Sequence, residues 1–220
     1  MAGRLVDGVY RARDCCVAGL GLVILSPVMA GTALAVRVKL GSPVVFTQMR
    51  PRLGGTPFRL YKFRSMLPVE EDRLRVDDAD RLTSFGRFLR ASSLDEVPSL
   101  VNVLKGDMSL VGPRPLLMQY LARYTPDQAR RHEVRPGITG WAQVQGRNTL
   151  GWEEKLALDV WNVDHRSMAL DLRIIIGTLG MVVRRAGISA DGHATAPEFQ
   201  GRAAPSLSRL QSSSQPREAQ

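Results

Sequence analysis

At 220 residues with 44% hydrophobic content, the chain is long enough to form one domain with a hydrophobic core, with short appendages. Its net charge of +9 favours anionic partners, which leaves nucleic acid, anionic lipid and phosphorylated small molecules as candidates. Its only cysteines, Cys15 and Cys16, are adjacent, which excludes a disulfide framework and zinc-ligand spacing and fits a reducing compartment.

Residues 15–36 form an uncharged apolar stretch with basic residues at both ends. A straight helix of this length would measure about 33 Å, enough to cross a membrane. Ser26 and Pro27 lie at its centre, where proline disfavours a regular helix, and each half alone is too short to cross. The basic flanks place both ends on the cytoplasmic side. From the residues alone, a re-entrant and a spanning helix stay about equally supported, with a buried helix of a soluble protein as the third alternative.

The next elements predicted are two strands joined by a turn, within residues 44–63, because β-branched and aromatic residues flank a Gly-Gly turn. Lys62 and Arg64 are two residues apart and would share one face of the second strand. Cations in such positions more often line a solvated edge than a binding site, so both interpretations stay open.

Residues 91–115 contain the densest set of chemically capable side chains. Ser93 and Glu96 fit a capping box at the start of a helix that Gly106 would end, so Asp95 and Glu96 could serve only as capping residues. A rigid corner, Gly-Pro-Arg-Pro, follows and orients Arg114. Adjacent carboxylates among fixed cations indicate chemistry on a phosphorylated, metal-bound substrate.

The remaining elements are predicted more briefly. A proline-led helix begins at Thr125, a turn-rich loop covers residues 135–141, and residues 141–145 look like a strand. An amphipathic helix is expected over residues 152–161, and a more apolar helix, suited to core packing or to lying on the bilayer, over residues 170–183. Residues 186–220 lack an apolar period, and their composition is typical of a disordered tail.

A nucleotide diphosphate-sugar is a substrate on which these residue types could act. Its negative charge must be neutralised by a divalent cation and by arginines before a carboxylate can attack phosphorus. An aspartate can then be the nucleophile, and a neighbouring glutamate can bind Mg²⁺. Asp-Glu pairs are common, so this dipeptide alone is a weak signal.

Four motifs give the chain a specific resemblance: KFRSM at residues 62–66, SLDE at 93–96, GDMSLVGPRP at 106–115 and RPGITGWAQ at 135–143. In this combination the chain resembles the bacterial sugar transferases, the monotopic phosphoglycosyl transferases, in a short form. That family moves a sugar phosphate from a UDP-sugar to polyprenyl (undecaprenyl) phosphate, releases UMP and starts the assembly of surface glycans.

The resemblance implies specific roles for residues of this chain. Asp95 is implied as the nucleophile that forms a covalent phosphosugar intermediate, and Glu96 as the Mg²⁺ ligand. Ser26 and Pro27 match the break in the family's re-entrant membrane helix, which favours the re-entrant alternative. The positions expected to bind substrate are Lys62, Arg64, Arg90, Arg114, Arg135, Arg147 and Asp171.

The resulting prediction is a mostly helical α+β protein at the cytoplasmic face of the bacterial inner membrane. Residues 1–40 would form a re-entrant helix hairpin with basic flanks. Residues 41–185 would form the catalytic domain, with a small β-hairpin and amphipathic helices at the membrane face, and residues 186–220 the tail. The expected partners are a UDP-sugar, polyprenyl phosphate and the lipid bilayer; oligomeric state stays open, a homodimer included.

Two other function classes compete with this prediction. A membrane-tethered nucleic-acid binder would account for the charge, but its cations would lie along one helix or alternate with aromatics. Here they occur singly on Gly/Pro loops around carboxylates, and aromatics make up only 6% of residues, so no nucleic-acid partner is expected. A glycosyltransferase that moves the sugar without its phosphate is the other class, and it would release UDP in place of UMP.

Overall fold

The computed structural model describes residues 2–68, 78–146, 150–184 and 198–201. Within them the protein is a mostly helical α+β fold, as predicted. The helices are α1 (Ala2–Lys39), α2 (Asp78–Arg81), α3 (Ser84–Ala91), α4 (Leu100–Lys105), α5 (Pro126–Ala129), α6 (Trp141–Gln145), α7 (Trp152–Asp164) and α8 (Met168–Arg184). The strands are β1 (Val45–Pro51), β2 (Pro57–Phe63), β3 (Ser109–Val111) and β4 (Gly137–Thr139). Short 3₁₀ helices cover Leu53–Gly55, Leu94–Ser99, Met118–Arg123 and Arg130–His132.

Helix α1 is one continuous helix that passes through Ser26 and Pro27, so the break predicted there does not end the helix. Its segment Asp7–Lys39 is long and apolar enough to cross a membrane. One stripe of the helix is buried against the rest of the protein at Tyr10, Asp14, Ala18, Thr32 and Val36, and Leu40, the residue after the helix, is buried as well. The remaining surface exposes Val17, Leu20, Val23, Ile24, Val28, Leu34 and Val38. Both halves of α1 therefore contact the same globular body.

Polar contacts attach the first half of α1 to that body. Arg11 donates to the backbone carbonyls of Val103 and Leu104 at the end of α4. Asp14 is buried and accepts a hydrogen bond from the Ser109 hydroxyl of β3 at 2.6 Å. At the other end of α1, Val36 and Leu40 pack with Phe63 and Leu89 in an apolar cluster.

The predicted hairpin is confirmed: β1 and β2 pair antiparallel, with Val45 opposite Phe63 and Pro51 opposite Pro57. Phe58 and Leu60 point from β2 into the main hydrophobic core. The buried members of this core are Ala18, Phe58, Leu60, Val103, Met108, Leu110, Val111, Leu170 and Ile174. It therefore joins α1, the hairpin, α4, β3 and α8.

Two motifs of the sequence meet in a second sheet that the sequence analysis missed. Strand β3 pairs parallel with β4, and Gly112 donates to the Thr139 carbonyl at 2.9 Å. The segments that follow β3 and β4 cross so closely that a Cβ on Gly140 would lie 2.2 Å from the Gly112 carbonyl oxygen. The predicted turn-rich loop is therefore partly a strand, and glycine is required at the crossing because side chains would collide with backbone.

The segment around the two carboxylates differs from the predicted capped helix. Ser93 has a left-handed conformation (φ 56°) and caps nothing with its side chain, so the capping box is wrong. The chain continues as the 3₁₀ helix Leu94–Ser99, which contains Pro98, before α4 begins. Pro98 lies two residues before α4 begins, so its missing N–H removes no hydrogen bond from that helix. Gly106 ends α4 in the left-handed conformation (φ 84°), as predicted.

Other helices follow their patterns with one exception. The capping box of Thr125 and Gln128 is present at α5. Helices α7 and α8 lie where the amphipathic helix and the more apolar helix were expected, each extended by a few residues. Residues 141–145 form helix α6, so the strand predicted there is wrong. Alternating polarity over five residues is too short to separate the two periods.

Part of the predicted tail packs on the body. Residues 198–201 are described, and Phe199 is only 2% exposed in an aromatic cluster with Tyr120 and Leu156. These four residues therefore pack on the body although they lie within the predicted tail, because a single aromatic side chain in a preformed cluster needs no apolar period. The rest of residues 186–220 lies outside the described residues.

Candidate active site

Asp95 and Glu96 lie on the first turn of the 3₁₀ helix, next to the end of β2. The side chains of Ser99, at the end of the 3₁₀ helix, and Asn102, in α4, fix this arrangement. The buried Asn102 side chain accepts from the Tyr61 amide at 3.0 Å and donates to the Arg59 carbonyl at 2.7 Å. The Ser99 hydroxyl donates to the Tyr61 carbonyl at 2.8 Å. The carboxylates are therefore attached to β2 through its backbone.

This attachment brings Lys62 to Glu96. The Lys62 ammonium donates to Glu96 Oε1 at 2.6 Å, and the Arg114 guanidinium donates to the same oxygen at 2.7 Å. The two cations come from β2 and from the Gly-Pro-Arg-Pro corner, which are far apart in sequence. Burial alone would raise the pKa of Glu96, but the charges of Arg114 and Lys62 outweigh it and hold that pKa well below its usual range. Glu96 is therefore ionised at neutral pH.

Asp95 has the opposite behaviour. Its side chain is almost wholly buried, and burial together with the charge of Glu96 raises the pKa of Asp95 to about 6. Lys62, Arg114 and Arg90 act against this rise. Two adjacent carboxyls with pKa values shifted in opposite directions are typical of sites where the two groups have different chemical roles.

Asp95 and Glu96 can supply only part of the ligand shell of a Mg²⁺ ion. Among the described residues, no cluster of three or more His, Cys, Asp or Glu side chains could hold a metal ion by itself. Mg²⁺, however, commonly binds one or two protein carboxylates, with water and substrate phosphates completing its shell. Both cation contacts of Glu96 use Oε1. Asp95 and Glu96 therefore fit a Mg²⁺ ion that binds together with a phosphorylated substrate.

The other predicted substrate-binding residues, apart from Asp171, fall into three groups. Arg90 lies near Asp95, and its charge opposes the rise in the pKa of that carboxyl. Its guanidinium donates to the Ser65 hydroxyl at 3.0 Å. Arg64 and Arg135 bind backbone carbonyls: Arg64 those of Leu40 and Ser42, and Arg135 that of Gly106 at 3.0 Å. Arg147 lies outside the described residues.

Asp171 is not among the residues seen to pair with Lys62, Arg90 or Arg114 in the described parts of the chain. It is buried and forms an ion pair with Arg13, which also binds the neighbouring Asp14 at 2.7 Å. Asp171 therefore links α8 to α1.

Lys62 and Arg64 were expected on one face of β2, but they bind different partners, because Arg64 follows the last residue of the strand.

Three charged residues near Arg114 were missed by the sequence analysis. Arg50 of β1 has its pKa lowered to about 10 by burial and by the nearby charge of Arg114. Arg131 is fully buried and pairs with buried Asp159 at 2.6 Å. Its guanidinium also donates to the Arg114 backbone carbonyl at 2.7 Å. The available signal was Asp159, which shares one face of α7 with Leu156 and is a charged residue on the buried side.

Comparison with known proteins identifies the family to which the chain belongs. A sequence model of the bacterial sugar transferases matches residues 6–185. This range includes the β-hairpin, the two carboxylates, and the motifs that contain β3 and β4. The chain belongs to the bacterial sugar transferase family.

The sequence of this chain is also similar to those of individual members of the bacterial sugar transferase family. EpsL of Bacillus subtilis (strain 168), named an uncharacterised sugar transferase, is 52% identical over 192 residues, covering 87% of this chain and 95% of the relative. The UDP-glucose:undecaprenyl-phosphate glucose-1-phosphate transferase of Escherichia coli (strain K12) is 39% identical, covering 77% of this chain. The chain spans only 39% of that longer relative. The Caulobacter vibrioides protein of the same name is 40% identical, covering 79% and 69%.

Proposed function

We propose that this protein transfers a sugar 1-phosphate from a UDP-sugar to polyprenyl phosphate, giving polyprenyl diphosphate-sugar and UMP. The observation that carries the proposal is the pair of adjacent carboxylates with opposite ionisation among Lys62, Arg90 and Arg114. The similarity to undecaprenyl-phosphate transferases supports the choice of substrates.

In the proposed first step, a carboxylate oxygen of Asp95 attacks the phosphorus that bears the sugar. The bond from that phosphorus to the bridging oxygen breaks, UMP leaves, and an aspartyl phosphosugar forms. In the second step, a phosphate oxygen of the lipid attacks the same phosphorus and releases the Asp95 carboxylate. Asp95 with its raised pKa is a suitable nucleophile because it is poorly solvated and ionises near neutral pH.

The cations supply the electrostatic part of the proposed reaction. Lys62, Arg90 and Arg114 would bind the diphosphate and stabilise the charge that develops on its oxygens. Glu96, with Asp95 beside it, would hold Mg²⁺, and a bound Mg²⁺ would neutralise the donor phosphates. Arg114 is held by Glu96 and by the Arg131-bound corner, so its head group needs little reorganisation when substrate arrives.

Helix α1 is proposed to embed in the cytoplasmic face of the inner membrane without crossing it. Its exposed apolar surface suits contact with acyl chains, and both of its halves contact the one body. A straight spanning helix would carry one end to the opposite face, away from that body. The lipid phosphate would then be presented at the membrane face where α1 meets the site.

The test is release of UMP by membranes containing the protein, with polyprenyl phosphate and a panel of UDP-sugars. We expect UMP with at least one donor and a covalent phosphosugar on the wild-type chain when the lipid is withheld. Asp95→Asn should abolish both. UMP release that survives this change would reject Asp95 as nucleophile, and release of UDP in place of UMP would reject phosphosugar transfer in favour of simple glycosyl transfer.

A further inference from the structure

An aromatic pocket on the body is filled by a segment from the far end of the chain. Phe199 packs with its ring centre 5.6 Å from that of Tyr120, 5.7 Å from Tyr124 and 5.3 Å from Trp152. The contact with Tyr120 is edge-to-face and the contact with Tyr124 is stacked. Leu156 of α7, which is fully buried, closes the cluster. Such aromatic pairs are favourable beyond the area they bury.

Polar contacts around the pocket match the backbone and charge of the same segment. Arg123 forms an ion pair with Glu198 at 2.9 Å and also donates to the Phe199 carbonyl. The Phe199 amide donates to the Tyr120 hydroxyl at 3.2 Å. Gly201 follows in a left-handed conformation (φ 79°) beside the Arg123 backbone. An acidic side chain, an aromatic side chain and the backbone between them are thus each recognised.

The pocket is connected to the candidate active site through contacts already described. The Tyr124 hydroxyl, on the ring that stacks with Phe199, accepts from Arg131 at 3.2 Å. Arg131 binds both Asp159 and the Arg114 carbonyl. The Arg114 guanidinium binds Glu96. Packed and hydrogen-bonded groups therefore run without a gap from Phe199 to the carboxylates.

We propose that Tyr120, Tyr124, Trp152, Leu156 and Arg123 form a docking site for the acidic-aromatic Glu198-Phe199 segment of the chain's own C-terminal region, and that docking positions Arg114. Phe199 acts here as a positioning residue, through Tyr124 and Arg131, and contacts no substrate. The consequence for turnover rests on the proposed function above. The docking site itself and the order it gives to the corner do not.

The first measurement is binding in trans. A synthetic peptide of residues 195–203 is titrated into the full-length Phe199→Ala variant in detergent, with tryptophan fluorescence as the readout because Trp152 lines the pocket. We expect saturable binding at least tenfold tighter to the variant than to wild type, whose pocket is occupied by its own segment. A peptide with alanine in place of Phe199 is the matched control and should not bind. Equal affinity for both proteins would overturn the docking site.

The second measurement is amide hydrogen exchange of residues 109–114. We expect exchange at least tenfold faster in Phe199→Ala than in wild type, with the wild-type rate restored by saturating peptide. Gln200→Ala, at an exposed position, should exchange as wild type does. Unchanged exchange with a demonstrably emptied pocket would overturn the positioning of Arg114. Recovery on adding peptide separates positioning from misfolding.

If Phe199→Ala does not fold, Glu198→Lys provides the second variant. It reverses the charge opposite Arg123 and keeps the aromatic anchor, so the same peptide should bind it more tightly than it binds wild type. Wild-type affinity for the peptide in this variant would count against the proposal. Absence of UMP release from the wild-type protein with every donor would reject the proposed function and leave both measurements interpretable.

Discussion

At the scale of single residues, Asp95 and Glu96 illustrate how neighbours in sequence acquire different properties. Glu96 contacts two cations directly and stays ionised, whereas Asp95 is buried and has a raised pKa. The difference comes from direction, because successive side chains on a tight 3₁₀ turn point to different surroundings. The proposed division into a nucleophile and a metal ligand depends on that difference.

Asp95 is expected to lower the stability of the protein at neutral and alkaline pH. Its pKa rises from 3.8 to about 6 on folding, so the folded state binds more protons than the unfolded state between these values. Stability therefore falls as pH rises through this window. Asp95→Asn should remove a cost of up to about 3 kcal/mol above pH 7, and the gain should vanish near pH 4. Thermal unfolding in EDTA from pH 4 to pH 8 measures it.

Glu96→Gln is the matched control for this prediction. The pKa of Glu96 is lowered on folding, so its charge contributes stability at neutral pH that is lost only as pH falls below its ordinary range. The variant should be less stable than wild type at pH 8. If Asp95→Asn and Glu96→Gln shift the unfolding temperature in the same direction at pH 8, the opposed ionisation of the pair is wrong.

At the scale of elements, the crossing of β3 and β4 explains why two separate motifs occur together. The corner that carries Arg114 follows β3, and the loop that carries Arg135 precedes β4. Hydrogen bonds run in both directions between them, including Gly137 to the Pro113 carbonyl at 3.0 Å. Each motif therefore holds the other in place, and the glycines permit an approach that no other residue allows.

Gly140→Ala is expected to disrupt this crossing. Its Cβ would lie 2.2 Å from the Gly112 carbonyl oxygen, so the backbone that leads to Arg114 must move. A loss of about 1–3 kcal/mol in unfolding free energy is expected from overpacking of this kind. Urea unfolding in detergent measures it. Gly151→Ala, where an added Cβ meets nothing within 4 Å, is the control and should change stability little. Equal stability of the two variants would contradict the steric argument.

At the scale of the whole molecule, α1 and the globular body form one structure. The helix is attached near its start through Arg13, Asp14 and Ser109, and near its end through Val36 and Leu40. The exposed apolar residues of α1 lie between these attachments and on the outer side. A helix attached to one body along its length can enter a membrane only from the side on which that body lies.

Labelling from one side of the membrane tests this arrangement. With Cys15 and Cys16 replaced by serine, new cysteines at Gly8 and Arg37, both exposed, should react with an impermeant maleimide in inside-out vesicles. Neither should react in right-side-out vesicles. A cysteine at Val23, in the middle of the apolar surface, should be protected in both. Reaction of the cysteines at positions 8 and 37 from opposite sides would show that α1 spans the membrane.

Much of the outline follows from local sequence. The hairpin was predictable because a Gly-Gly turn separates β-forming runs, and the stop of α4 because only Gly106 tolerates the left-handed conformation easily. The long apolar run predicted α1, and spaced motifs predicted the family and the carboxylate pair. These features depend on residues that are near one another in the chain.

Only the tertiary structure decided which charges meet. Lys62 and Arg114 reach one oxygen of Glu96 because Asn102 and Ser99 attach their segment to β2, while Arg64, two residues from Lys62, binds the end of α1. Phe199 occupies a buried aromatic pocket although the sequence around it has no apolar periodicity. A sequence determines its local propensities directly, but a pKa or an ion pair depends on groups distant in the chain that packing brings within a few ångströms.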